Sequence, residues 1–214
     1  EKSRRSFIKK TSTIASGLLA VPLSLEGMAN VYGNKKLKLS LIGCGGRGSG
    51  AAVQALTADK NVELVAMADA FRDRIDKSLK GIQEYFEGKK KISVKEKNKF
   101  TGFNAYKKAI DLADVVILTT PPGFRPYHFE YAIKNDKHVF MEKPIATDPV
   151  GVRKVLEMAK IAKQKKLNVV VGLQRHCEKK YIDLHKKISK GEIGKIRSGQ
   201  VYWNDGGVWL KKRK

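Results

Sequence analysis

Two short stretches of the chain carry groups able to do chemistry, and each follows an apolar run. The first is Gly43-Cys44-Gly45-Gly46-Arg47-Gly48, directly after the run Leu37 to Ile42; Gly43, Gly45 and Gly48 fall in the spacing G-x-G-x-x-G. In that spacing the first glycine permits a tight turn, the second lets backbone approach a pyrophosphate, and the third lets the following helix pack on the strand. The free N–H groups and positive dipole end of that helix then face the phosphates. The second stretch is Glu142-Lys143-Pro144, after His138 to Met141. A lysine at a strand end can hydrogen-bond or protonate an alcohol or carbonyl oxygen while a hydride moves. A nearby nicotinamide cation and partial burial would favour its neutral, basic form. Glu142 is placed to orient it. The same residue types also allow a plainer arrangement, in which Lys143 only pairs with Glu142 or caps a helix.

Two further segments belong with these. Val62 to Asp69 reads as a second strand ending in an acid, 26 residues beyond Gly43. A carboxylate there can accept hydrogen bonds from both hydroxyls of an adenosine ribose, and its charge repels a 2′-phosphate, which favours NAD over NADP. Arg72 and Arg74 follow closely and keep NADP open. Thr119-Thr120-Pro121-Pro122 ends another apolar run at the level where ligands of such sheets bind, and its prolines fix the backbone where the chain must pass along a cofactor.

These segments need a scaffold, and the pattern after residue 35 supplies one by alternating strand and helix. Helices are expected over residues 47–59, 71–87, 104–112, 124–135 and 148–166. In the second, Ile75, Leu79, Ile82 and Phe86 share a face; in the last, Val152, Val155, Leu156, Ala159 and Ala162 are expected inward. Asn104 is the expected cap of the third. Residues 88–99 read as an exposed, lysine-rich loop. The strand Asp114 to Thr119 is apolar on both faces, as a parallel strand covered by helices should be. The fold expected is a doubly wound parallel α/β sheet of Rossmann type over residues 35–174. Residues 175–214 then begin a second domain, with a helix over 178–189 and a strand over 195–203. One strand cannot stand as a domain, and the chain opens on Glu1, so a piece of a longer two-domain protein is expected.

Residues 1–34 stand apart. Ser3-Arg4-Arg5-Ser6-Phe7-Ile8-Lys9-Lys10 precedes a weakly apolar stretch from Thr13 to Leu25. Paired arginines, then Phe-Ile-Lys, then a modest hydrophobic segment look like a twin-arginine export signal, which would place the mature protein in the periplasm or otherwise outside the inner membrane; an ordinary basic amphipathic helix is the alternative. Nowhere does an uninterrupted apolar run reach the ~20 residues of a membrane span. The net charge of +23 is concentrated late: residues 151–214 hold 18 basic and 5 acidic side chains. Without aromatic interleaving or a recognition helix, this reads as a solvated lysine surface and not as a specific nucleic-acid site. The two cysteines, one inside the glycine loop, read as free thiols, and the four histidines lack metal-ligand spacing.

Together, Leu-Ile-Gly-Cys-Gly-Gly-Arg-Gly, Val-Ile-Leu-Thr-Thr-Pro-Pro and Lys-His-Val-Phe-Met-Glu-Lys-Pro resemble the Gfo/Idh/MocA oxidoreductases across residues 37–173. The resemblance implies an NAD(P)-binding domain followed by an α+β substrate domain acting on sugars, inositols or related polyols. It implies Lys143 as the catalytic or substrate-orienting lysine, and Gly43, Gly45, Gly46, Arg47 and Gly48 as the dinucleotide loop. Asp69 becomes the ribose acid, and Thr119, Thr120 and Pro121 the cofactor-lining segment beside Glu142. The Asp and His that relatives place on the first long helix of the second domain have no match; His128 and His176 do not replace them, so this length of chain is expected to be incomplete for catalysis. Relatives commonly self-associate through the second domain, so a homo-oligomer is expected at full length. With the leader, the resemblance implies a sugar or polyol oxidoreductase whose NAD stays bound. An NAD-dependent glycosidase of the same family and a non-catalytic dinucleotide- or sugar-binding protein are the alternatives.

Overall fold

In the computed structural model, residues 36–87, 90–204 and 206 are described; residues 1–34, expected as an export signal, lie outside them. The apolar runs form β1 (Leu37–Ile42), β2 (Val62–Asp69), β4 (Val115–Leu118), β5 (His138–Met141) and β6 (Val169–Val171). Between them run α1 (Gly46–Ala58), α2 (Arg72–Tyr85), α3 (Ala105–Asp111), α4 (Arg125–Lys134) and α5 (Pro149–Gln164). A short strand, β3 (Lys99–Thr101), joins β2, where the sequence reads only as loop. It is an edge strand of three residues, too short to show a period. The six strands lie in the order β3-β2-β1-β4-β5-β6, and β3/β2, β2/β1, β1/β4 and β4/β5 all pair in parallel. This is the doubly wound Rossmann arrangement, with its reversal of strand order between β1 and β4.

The central strands are buried on both faces: Leu39, Leu41, Leu64, Met67, Val116 and Ile117 are almost wholly inaccessible. Ala51, Ala52 and Leu56 of α1 and Ile75, Leu79 and Ile82 of α2 close one side. α5 starts at Asp148, whose Oδ1 accepts from the Gly151 amide at 2.8 Å, and Pro149 opens its first turn. Its buried stripe is Gly151, Val155, Met158 and Ala162. Val152, Leu156 and Ala159, expected inward, are exposed. Both candidate stripes are apolar at helical spacing, so hydropathy alone could not choose between them. Asn104 sits at the start of α3 without a side-chain capping bond.

The chain divides into two compact units between Val170 and Val171. The second contains α6 (Gln174–Cys177) and α7 (Lys179–Ser189). Within it the Arg175 guanidinium lies over the rings of Tyr181 and Trp203, at 5.5 and 4.9 Å. Residues 195–203, expected as a strand, have no regular secondary structure. Among the described residues no helix is long and apolar enough to cross a membrane.

Candidate active site

The carboxyl ends of the strands are laced together at one level. The Gly43 amide donates to Ala68 O at 2.8 Å, Thr119 N to Ile42 O at 2.8 Å, and Glu142 N to Leu118 O at 2.9 Å. The residues that open each loop, Asp69, Gly43, Thr119 and Glu142, therefore form a row across β2, β1, β4 and β5. Against this row lies a cavity of about 350 Å³ lined by Gly43, Gly45, Asp69, Thr119, Thr120 and Pro121, with Arg74 and His128. Gly46, Arg47 and Gly48 follow in the first turn of α1; Lys143 stands exposed beyond β5.

The three motif glycines are there for three different reasons. Gly43 has φ +94°, and a Cβ on it would lie 2.6 Å from Thr120 N. A Cβ on Gly48 would lie 2.0 Å from Gly43 O and 2.6 Å from Thr119 Oγ1, so the helix could not approach the strand. A Cβ on Gly45 would meet nothing within 4 Å. Packing therefore requires glycine at 43 and 48, whereas at 45 it leaves open space at the N-terminus of α1, where a pyrophosphate fits.

Asp69 is held for its task. Its Oδ2 accepts from Cys44 N at 2.7 Å and its Oδ1 from Phe71 N at 3.1 Å, which fixes the carboxylate while leaving each oxygen a lone pair for a ribose hydroxyl. Of the two nearby arginines, Arg72 is taken up by Asp76 and Glu96 on the surface, whereas Arg74 lines the cavity. Cys44 is buried and free, and burial followed by the Asp69 charge pushes its thiol pKa far up, so it is inert packing. Among the described residues no group of His, Cys, Asp and Glu is placed to hold a metal.

Thr119 and Thr120 behave differently. Thr119 Oγ1 donates to Gly43 O at 2.6 Å and braces the glycine turn. Thr120 is gripped from α4 at both ends: its hydroxyl lies 3.2 Å from His128 Nδ1, and its carbonyl accepts from Arg125 Nη2. Arg125 Nη1 donates to Pro144 O, so one guanidinium, only 2% exposed, fastens the Thr120 loop to the Glu142-Lys143-Pro144 segment. The Lys143–Pro144 peptide is cis. Burial lowers the Arg125 pKa, and the Glu142 charge partly offsets that. Burial, then the Arg125 charge, pushes His128 down to about 4, so it stays a neutral imidazole at ordinary pH. His128 stacks on Tyr106 at 4.1 Å; with Phe124 and Phe103, themselves stacked at 5.9 Å, they give the cavity an aromatic wall.

Two expectations about Glu142-Lys143-Pro144 change. Glu142 does not orient Lys143: its Oε1 lies 2.6 Å from Arg47 Nη2, an ion pair joining the glycine-loop helix to the end of β5. A guanidinium two residues past Gly45 reaches this strand end because the sheet brings β1 and β5 to one level. Lys143 is exposed and not partly buried. Arg125, which as a helix arginine looks like a solvent residue, and Phe103, which follows the short strand β3, carry no local sequence signal that marks them.

Comparison with known proteins decides the family. Residues 37–173 match the model of the oxidoreductase family with an NAD-binding Rossmann fold, GFO_IDH_MocA. The chain belongs to the Gfo/Idh/MocA oxidoreductases. Its glycine loop and Asp69 are thus part of an NAD-binding Rossmann domain. Among Gfo/Idh/MocA relatives, a glycosyl hydrolase family 109 protein from Solibacter usitatus is 27% identical over 82% of this chain and 38% of its own length. An inositol 2-dehydrogenase from Salmonella paratyphi B is 29% identical over 74% of this chain and 43% of its own. In fold the chain is similar to scyllo-inositol dehydrogenase from Lactobacillus casei with bound NAD(H) and scyllo-inositol. That likeness has a TM-score of 0.58 and 22% identity, over 75% of this chain and 43% of the other. The chain spans well under half the length of these Gfo/Idh/MocA relatives.

Proposed function

We propose that the protein is an NAD(P)-dependent oxidoreductase acting on a sugar or polyol, with Lys143 as the group that exchanges a proton with the substrate oxygen. The observation that carries this reading is the single row of Asp69, the glycine turn, Thr119 and Glu142 at the sheet's carboxyl edge, with Lys143 next in the chain. NAD, when bound, supplies the hydride acceptor or donor. The first-turn amides of α1 at Gly45 to Gly48 would hold its pyrophosphate, and Asp69 the adenosine ribose. The aromatic wall of Phe103 and Phe124 offers a face to a ring, and Thr120, fixed by His128 and Arg125, lines the same cavity. Asp69 favours NAD; Arg74 beside it leaves NADP within reach.

A dinucleotide loaded before export and kept through turnover fits the twin-arginine pattern of residues 1–34, and export together with a homo-oligomer at full length belongs to the same proposal. The likeness to a glycosyl hydrolase family 109 protein favours a second reading, an NAD-dependent glycosidase. A non-catalytic binder is the third. The deciding experiment uses the full-length protein with a panel of polyols, inositols and aryl glycosides, together with its Lys143→Ala variant. Loss of turnover by about 10²–10⁴-fold with NADH affinity kept within about threefold is expected for a lysine in proton transfer. Unchanged turnover in the variant overturns the assignment of Lys143. Cleavage of glycosides without net NADH selects the glycosidase, and no turnover with any compound selects the binder.

A further inference from the structure

We propose that the Arg47–Glu142 ion pair is a latch opened by the dinucleotide's pyrophosphate. The inference rests on the reading that a dinucleotide occupies the glycine loop.

Arg47 is the second residue of α1, in the turn whose free amides face that loop, and its side chain is half exposed at 49%. Its partner Glu142 is 9% exposed and fixed at the backbone by the Glu142 N to Leu118 O bond. The contact between them is short, 2.6 Å, but off the hydrogen-bond axis: Glu142 Oε1 has no aligned donor. A guanidinium held by charge without alignment is one that a better acceptor can take. Phosphate oxygens match its planar fork and accept two parallel bonds.

Removing a cation from a buried carboxylate ordinarily carries a heavy penalty. Here a second cation stands by. Arg125 is buried, its Nε is without a partner, and its charge already acts on Glu142. Its two terminal nitrogens are engaged with Thr120 O and Pro144 O, so it cannot leave. When Arg47 moves to the phosphates, the Arg125 charge still acts on the Glu142 carboxylate. Arg47 is therefore a residue with two alternative partners, and the one it holds reports whether the cofactor is in place.

The test is a double-mutant cycle on the full-length protein, with NADH as the probe and binding as the readout. In an otherwise unchanged protein, Glu142→Gln frees Arg47 and should tighten NADH by about 3- to 10-fold, the size of a partly exposed ion pair. In an Arg47→Gln background the same substitution should change affinity by less than about twofold. If Glu142→Gln weakens NADH, Arg47 is a fixed strut and the latch is wrong. If it tightens NADH equally in both backgrounds, the effect is general charge repulsion and the latch is again wrong. A crystal structure of the unsubstituted protein with NADH decides without any variant. Arg47 on phosphate oxygens is expected, and Arg47 still on Glu142 overturns the proposal. Failure of the unsubstituted protein to bind NADH would remove the cofactor reading itself, and the latch with it.

Discussion

The sharpest test of the glycine loop is a pair of substitutions, Gly48→Ala and Gly45→Ala, because the structure gives them opposite consequences. A methyl group at 48 would sit 2.0 Å from Gly43 O, against the ~3.5 Å that such atoms need. That oxygen is backbone, and it accepts from Thr119 Oγ1 at 2.6 Å, so no rotamer change relieves the clash. α1 would have to retreat by more than about 1 Å from a close-packed sheet, an overpacking cost of about 3 kcal/mol or more. At the size of this domain that corresponds to a Tm lower by about 10 °C. At 45 the backbone has φ −74°, which any residue adopts, and the methyl meets nothing. Two small effects, the loss of glycine's preference at a helix cap and the gain from a less free unfolded chain, oppose each other, each under about 1 kcal/mol. Gly45→Ala should therefore melt with the parent protein. It should nevertheless lose NADH affinity by about 10- to 100-fold, since the methyl occupies the space of charged oxygens that bond backbone amides. Thermal melting with and without NADH, and NADH titration, read both variants. Parent-like NADH affinity in Gly45→Ala, or a parent-like Tm in Gly48→Ala, would refute the division of labour among the glycines.

Other consequences can be measured in the same way. Arg125→Met removes two bonds to carbonyls and the buried charge facing Glu142, and should lower unfolding free energy by about 2–4 kcal/mol in urea titration, with Arg125→Lys recovering only part. His128 has a folded pKa pushed down to about 4, below its unfolded value near 6.5. As pH falls the unfolded chain takes up the proton first. The His128 contribution is thus complete above about pH 6.5 and is lost progressively down to about pH 4, by at most about 3 kcal/mol. His128→Gln should flatten that part of the stability–pH curve relative to the parent. Arg72, Asp76 and Glu96 form an exposed charge cluster around the partly buried Lys99, so added salt should change its contribution without moving NADH affinity.

Most of the architecture could be read from the chain because its signals are local. Three glycine- or proline-marked strand ends, the acid that closes a fourth, and five expected helices suffice to place Asp69, the glycine loop, Thr119 and Glu142 on one edge. What could not be read depends on contacts between distant segments. β3 is three residues whose strand character exists only through pairing with Met67 to Asp69. The inward face of α5 is fixed by what it packs on, not by its own pattern, which offers two apolar stripes a small rotation apart. Arg125 looks like any helix arginine until Thr120 and Pro144 are seen to turn their carbonyls toward it. Glu142 has two basic neighbours in principle, Lys143 beside it in sequence and Arg47 beside it in space. Only the fold could show that the distant one is the partner.

The lacing of the strand ends has a consequence for how the site loses its shape. Each of Gly43, Thr119 and Glu142 opens a loop, yet its amide is also the last rung of a ladder running through the most deeply buried strands. Loops near ligands are commonly drawn from the part of a protein that opens locally, well below the free energy of global unfolding. Here the loop mouths belong to the same cooperative unit as the sheet. These three amides should exchange with solvent only through opening of the whole domain, so the pocket keeps its form until the fold itself is lost.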